Sequence, residues 1–279
     1  SPTLRELRKM LDSHSLTDLE IEQLALCMLN ELPELCSDYL GNTIVQKLFQ
    51  NSSEIVKDIM LRKTNKYLTS MGVHKNGTWA CQKMITMSTE HPSNKNLVVA
   101  GIQDFCAPLF NDQFGNYVIQ CCLKFGFPWN SFIFESIIAN FWTICQSRYG
   151  ARAVRACLEA TDIITKEQLI VLSAMIVVYS EYLSTNTNGT LLLTWYLDTC
   201  PLSHKQEILT PRLIGHVCEL SCHKLASLTI LKVLNHRNEF KAKRQIVETI
   251  FGGSPDFSKS RSFGSKSKES DVQEGESKE

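Results

Sequence analysis

A short pattern that returns at near-constant spacing constrains this chain more than any other feature of it. The pattern is a small residue, preceded by a bulky or amide side chain and followed by nine amphipathic positions. It reads LGNTIVQKLFQ at Leu40–Gln50, NGTWACQKMIT at Asn76–Thr86 and FGNYVIQCCLK at Phe114–Lys124. It returns as YGARAVRACLE at Tyr149–Glu159, NGTLLLTWYLD at Asn188–Asp198 and LASLTILKVLN at Leu225–Asn235. The small residues are Gly41, Gly77, Gly115, Gly150, Gly189 and Ala226, spaced 36, 38, 35, 39 and 37 residues apart. A unit repeated at such a period cannot bury its apolar side alone and must stack on its neighbours, so the pattern predicts a solenoid.

Each copy has helical periodicity. In the third, Val118, Ile119, Cys122 and Leu123 fall on one stripe, and Asn116, Tyr117, Gln120, Cys121 and Lys124 on the opposite one. In the first, Ile44, Val45, Leu48 and Phe49 face one way and Asn42, Thr43, Gln46, Lys47 and Gln50 the other. Another apolar helix precedes each copy, as with Leu97, Val98, Ile102 and Phe105, or Ile133, Ile137, Ile138 and Phe141. The repeat therefore reads as two helices, with the glycine allowing the tight turn between them. Stacking places the polar stripes side by side on one surface. The second helices are expected at about 41–50, 77–87, 115–124, 150–160, 189–198 and 226–236, within an all-α domain over 1–251. Residues 1–39 supply an N-terminal helix pair, and Phe240, Ile246, Val247 and Ile250 mark a closing helix. Residues 252–279, rich in Ser, Lys, Glu and Gly, read as a disordered polar tail.

The formal net charge is zero, with 29 Lys and Arg against 29 Asp and Glu. A ligand with many phosphates would then be held by stacking and base-edge hydrogen bonds more than by coulombic attraction. Eleven cysteines without a disulfide spacing, several at apolar helix positions, fit free thiols in a reducing, cytoplasmic compartment. No signal peptide opens the chain, and Ser1 in place of methionine reads as a fragment of a longer protein. Leu169–Tyr179, the most apolar stretch, falls short of the roughly 20 residues of a membrane span, so no membrane insertion is expected.

At the repeated motif the chain resembles the PUF (Pumilio-homology) family of messenger-RNA-binding proteins. FGNYVIQCCL at Phe114–Leu123 and LGNTIVQKLF at Leu40–Phe49 are similar to that family's RNA-facing helix, and the resemblance covers roughly residues 17–250. Six repeats in place of the usual eight resemble the divergent six-repeat fungal group. The resemblance implies a curved right-handed solenoid with terminal capping helices, in which each repeat reads one base with two or three side chains.

It further implies that the motif's second and sixth residues touch the base edge while the third stacks on base planes. The edge pairs become Asn42/Gln46, Thr78/Gln82, Asn116/Gln120 and Ala151/Arg155, with Thr43, Trp79, Tyr117 and Arg152 at the stacking positions. Thr190/Thr194 and Ser227/Leu231, with Leu191 and Leu228, are the corresponding residues of the last two repeats, where the amide pair is lost. Asn and Gln each carry donor and acceptor on one plane, which suits a nucleobase edge. In the family an Asn/Gln pair favours uracil and a small residue with Gln favours adenine, and the RNA runs antiparallel. The reading is therefore 5′-U-A-U-3′ across the third, second and first repeats. Thr78 stands where the family has a smaller residue, and Ala151/Arg155 departs toward cytosine or phosphate. The function implied is binding of AU-rich, uridine-containing elements in 3′ untranslated regions for repression or decay, with single-stranded RNA and deadenylation factors as partners.

No phosphate loop, zinc-protease helix or nucleophile elbow occurs, so no enzyme and no cofactor are expected. His216, Cys218, Cys222 and His223 cluster without the spacing of a common zinc site, so no metal is assigned. The rival reading is a protein-binding scaffold of the armadillo or HEAT kind.

Overall fold

A computed structural model describes residues 2–252, and every regular element among them is helical. Six inner helices run over Gly41–Asn51, Gly77–Thr86, Gly115–Leu123, Arg148–Glu159, Thr190–Asp198 and Ala226–Leu234. Six outer helices precede them, at Asp18–Cys27, Glu54–Thr64, Pro92–Ile102, Ser131–Ala139, Lys166–Val178 and Lys205–Leu213. Inner packs on inner from one repeat to the next, and more densely than outer on outer, as in a solenoid curving toward its inner row. Pro2–Asp12 lies against the first inner helix, and Phe240–Phe251 closes the other end against the sixth repeat. The predicted polar tail lies outside the described residues, apart from Gly252.

The repeat has three helices where the sequence reading has two. Between outer and inner helix a short one intervenes: Leu32–Ser37, Leu68–Gly72, Cys106–Asn111, Phe141–Cys145, Ser180–Thr185 and Val217–Cys222. In three repeats a single 3-10 turn marks the break, at Asn65–Tyr67, Gln103–Phe105 and Ile214–His216, and in another it falls at Asn140, outside the usual α-helical conformation. The break lets Cys106, Leu109 and Phe110, or Phe141, Ile144 and Cys145, turn into the core. Phe105, in the 3-10 turn, and Ile138, near the end of its outer helix, are exposed. Periodicity alone cannot register a bend that keeps both halves helical.

Helix starts are locally encoded in several places. Thr17 and Thr165 form capping boxes with Glu20 and Gln168, and Pro92 takes the first turn of its helix, where its missing N–H costs nothing. The core is one continuous cluster. In the first inner helix Ile44, Val45, Leu48 and Phe49 are fully buried, and Cys122 and Cys157 fill the same core position in two repeats. Burial pushes the Cys36, Cys106 and Cys157 thiols up to about 12. Among the described residues no helix is long and apolar enough to cross a membrane.

The repeated glycines serve close approach rather than a turn. A methyl placed on Gly41, Gly77, Gly115 or Gly150 would meet the backbone oxygen six residues earlier, at 2.4, 2.8, 2.9 and 2.1 Å. None of these glycines has a positive φ; Gly126, in a loop, is the one described glycine that does. The carbonyl belongs to the short helix, a neighbour that the two-helix reading omits.

Candidate nucleic-acid interface

Three residues before each small residue stands a hydrogen-bond acceptor: Asp38, His74, Asp112, Ser147, Asn186 and His223. Asp38 Oδ1 accepts from the N–H groups of Leu40 (2.8 Å) and Gly41 (2.7 Å), and Asp112 Oδ1 does the same for Phe114 and Gly115. His74 Nδ1 accepts from Asn76 and Gly77, both at 3.2 Å, and His223 Nδ1 from Leu225 and Ala226. Asn186 Oδ1 and Ser147 Oγ act alike on Gly189 (2.7 Å) and Gly150 (3.1 Å). These side chains satisfy backbone donors that a helix start leaves without partners, and so fix where each inner helix begins. Sequence reading missed them because four residue types share the position; the signal is the acceptor.

The Gly41 N–H, first among its contacts, holds the Asp38 carboxyl below the usual carboxylate range. This stabilisation is therefore present above the unfolded-state pKa and is lost as pH falls through the folded-state value. His74→Ala is expected to cost about 1 kcal/mol in urea unfolding, while His74→Asp retains or exceeds wild-type stability. Equal stability of His74→Ala and wild type would remove the capping role.

With the start fixed, the second and sixth motif residues meet one turn apart. Asn42 donates both amide hydrogens backward, to the carbonyls of Asp38 (2.9 Å) and Tyr39 (2.8 Å), and Asn116 does so to Asp112 (2.8 Å) and Gln113 (3.0 Å). Gln46 Nε2 then donates to Asn42 Oδ1 at 3.1 Å, Gln120 Nε2 to Asn116 Oδ1 at 3.2 Å, and Gln82 Nε2 to Thr78 Oγ1 at 2.8 Å. The two members of a pair are not equally placed. Asn42 and Asn116 are only 4% exposed, and Thr78 and Ala151 are also buried, whereas the three glutamines are half-buried. Each glutamine is thus oriented by a fixed acceptor beneath it, with its carbonyl oxygen and second N–H unspent.

The third-position residues divide. Trp79 and Tyr117 are 62% and 54% exposed on adjacent inner helices, and Arg152 is exposed on the next. Thr43 is half-buried and its hydroxyl donates to the Leu40 carbonyl at 2.7 Å, which leaves little surface to stack on. In the fourth repeat Arg155 Nε donates to Glu159 Oε1 at 2.8 Å. Thr190, Leu191, Thr194 and Ser227 are half-buried, while Leu228 and Leu231 are exposed.

Charge follows the same division. Lys47 pairs with Asp12 of the terminal helix, and Lys232 binds both oxygens of Asp198, at 2.9 and 2.7 Å, across the last two repeats. In the His216–His223 cluster His216 lies 3.4 Å from Glu181 and His223 caps, while Cys218 and Cys222 are exposed. Between repeats, Asn76 donates to the Ser37 carbonyl (3.1 Å) and Asn188 to that of Gln146 (2.9 Å), tying the start of an inner helix to the end of the short helix one repeat earlier.

This geometry is a row of oriented amides between flat, exposed side chains, and known proteins share its framework. The family profile of the Pumilio-family RNA binding repeat matches residues 32–63, 111–130 and 216–251. The PUM-HD domain of Schizosaccharomyces pombe Puf1, crystallised with RNA, superposes with a TM-score of 0.84 at 43% identity, over 90% of this chain and 67% of that one. This chain belongs to the Pumilio (PUF) family. The PUF chain is also 70% identical to protein JSN1 of Saccharomyces cerevisiae, over 90% of its own length and 23% of that protein. It is 63% identical to the mRNA-binding protein PUF2 of the same yeast, over 91% of its length and 24% of that protein. It thus spans about a quarter of either curated relative.

Proposed function

We propose that this PUF domain binds single-stranded RNA along its inner row and reads one base per repeat over its first four repeats. The observation that carries this is the recurrence of Gln46, Gln82 and Gln120, each held by the residue one turn before it, with Trp79, Tyr117 and Arg152 exposed at the third motif position of the second, third and fourth repeats. An amide with fixed orientation offers a defined donor and acceptor to a base edge, and a flat side chain on either side sandwiches the base. The relative PUF2, an mRNA-binding protein by name, and the RNA complex of S. pombe Puf1 support the same ligand.

The Asn42/Gln46 and Asn116/Gln120 pairs select uracil and Thr78/Gln82 adenine, giving 5′-U-A-U-3′ over repeats three to one. Arg155, with only its Nε engaged, keeps its terminal nitrogens for cytosine or phosphate. The domain acts by binding, without catalysis. In the whole protein it docks on 3′ untranslated regions in the cytoplasm and brings repression or deadenylation factors. A second reading applies to repeats five and six. There the exposed Leu228 and Leu231 border a cavity of about 420 Å³, and Asp198 neutralises Lys232, which suits a protein contact better than a base.

Fluorescence polarisation with a short uridine- and adenine-containing RNA tests the proposal against an all-cytidine control. Tight binding to the first only, with a shallow dependence on salt, is the expected result, since a near-neutral chain releases few counterions. No preference over the control would transfer the inner row to the protein-scaffold reading.

A further inference from the structure

The last helix, Phe240–Phe251, is built like the outer helices before it, but among the described residues no further helix covers its far side. Phe240, Ile246, Val247 and Ile250 mark this closing helix in the sequence, but they do not share one environment. Only Ala242 and Ile246 are buried, while Phe240 is 67% and Val247 46% exposed, and Phe251 is exposed too. These three residues and Arg244 fall on one stripe, opposite the buried face.

Comparison with the internal junctions identifies that stripe. In three successive outer helices the fifth residue bonds to the start of the next outer helix. Glu22 accepts from the Ser53 N–H at 2.6 Å, Asp58 from the Ser93 hydroxyl at 3.1 Å, and Asn96 from the Trp129 indole at 2.9 Å. The eighth residues of the first two, Ala25 and Leu61, are fully buried. Fifth and eighth in the last helix are Arg244, exposed and without an ion pair among the described residues, and the exposed Val247. The stripe is therefore the face on which a following outer helix would sit.

The first outer helix, Asp18–Cys27, has the complementary vacancy. Third in each of the next two outer helices are Val56 and Asn94, both buried; here the third residue is Glu20, exposed, and Cys27 is exposed near the other end. Its start carries Asp18, Glu20 and Glu22 with no basic residue, whereas the last helix carries Lys241, Lys243 and Arg244. In the register of the internal junctions, Arg244 arrives at the Thr17–Glu20 turn.

We infer that the two ends of this domain are complementary docking faces, and that the exposed face of Phe240–Phe251 receives the Asp18–Cys27 helix of a second copy, head to tail. The contact continues the row of outer helices from one molecule into the next. It is heterologous, so it leaves an open face at each end of the assembly and permits further growth.

Sedimentation velocity on the full chain tests this with two end-specific variants at exposed or half-exposed positions. Gln23→Arg/Cys27→Arg places cations on the face that must meet Arg244, and Arg244→Glu/Val247→Glu disables the other end. The full chain is expected to show concentration-dependent association, weakened by salt. Each variant alone should associate at least about tenfold more weakly. An equimolar mixture, with one intact face of each kind, should form dimers and nothing larger. A full chain that stays monomeric up to its solubility limit would overturn the inference. So would either variant associating as wild type does, or a mixture that fails to dimerise. If the full chain is monomeric but one ending at Gly252 associates, the occupant is the chain's own tail and the second copy is excluded.

Discussion

Gly150→Ala is expected to destabilise the domain by about 1–3 kcal/mol, the range for forcing atoms into a filled space. The added methyl would stand 2.1 Å from the Ile144 carbonyl oxygen and 2.6 Å from Asn111 Oδ1. A side-chain atom such as Asn111 Oδ1 can move aside, but a helix carbonyl cannot without shifting the short helix Phe141–Cys145. The gain in helix propensity from glycine to alanine, about 1 kcal/mol, works against this loss and does not cancel it. Gly115→Ala should cost less, because its nearest backbone oxygen, that of Leu109, is 2.9 Å away. Ala226 provides the internal control, since the sixth repeat already holds a methyl in this slot. Urea midpoints of the variants, at unchanged slope, measure the order directly. A Gly150→Ala protein as stable as wild type would mean that the short helix yields freely, and the close-approach account of the glycines would fail.

The second large effect concerns the ligand. Tyr117→Ala should weaken binding to a uridine- and adenine-containing RNA by about 1–3 kcal/mol, the worth of one stacked base. Gln120→Ala should cost a comparable amount and also relax the choice of base at that repeat. The buried Asn116 separates reading from support. Asn116→Ala removes the acceptor that orients Gln120, and with it the two hydrogen bonds that tie the helix start to Asp112 and Gln113. It should therefore lower stability as well as affinity, whereas Tyr117→Ala, at an exposed ring, should leave the unfolding midpoint unchanged. Competition binding together with urea unfolding distinguishes the two. If Tyr117→Ala binds as tightly as wild type, the inner row is not where RNA stacks.

The amino-acid sequence determined the repeat, its helical character and the candidates on the polar stripe. These are local properties: side-chain direction along a helix follows from spacing alone, so Gln46, Gln82 and Gln120 share a face wherever the helix is put. Trp79 and Tyr117 were legible as exposed aromatics for the same reason. Tertiary structure decided whatever depends on a neighbour. It revealed that the glycines admit a carbonyl, that Asn42 and Asn116 lie beneath the glutamines, and that Thr43 is tied down by its own hydroxyl. It also split each outer segment into two helices, because both halves keep the same periodicity while turning different faces to the core. In the last described helix the same limit applies to Phe240 and Val247, which are exposed. Their spacing marks an apolar stripe, but whether such a stripe is covered depends on what packs against it, which spacing does not encode.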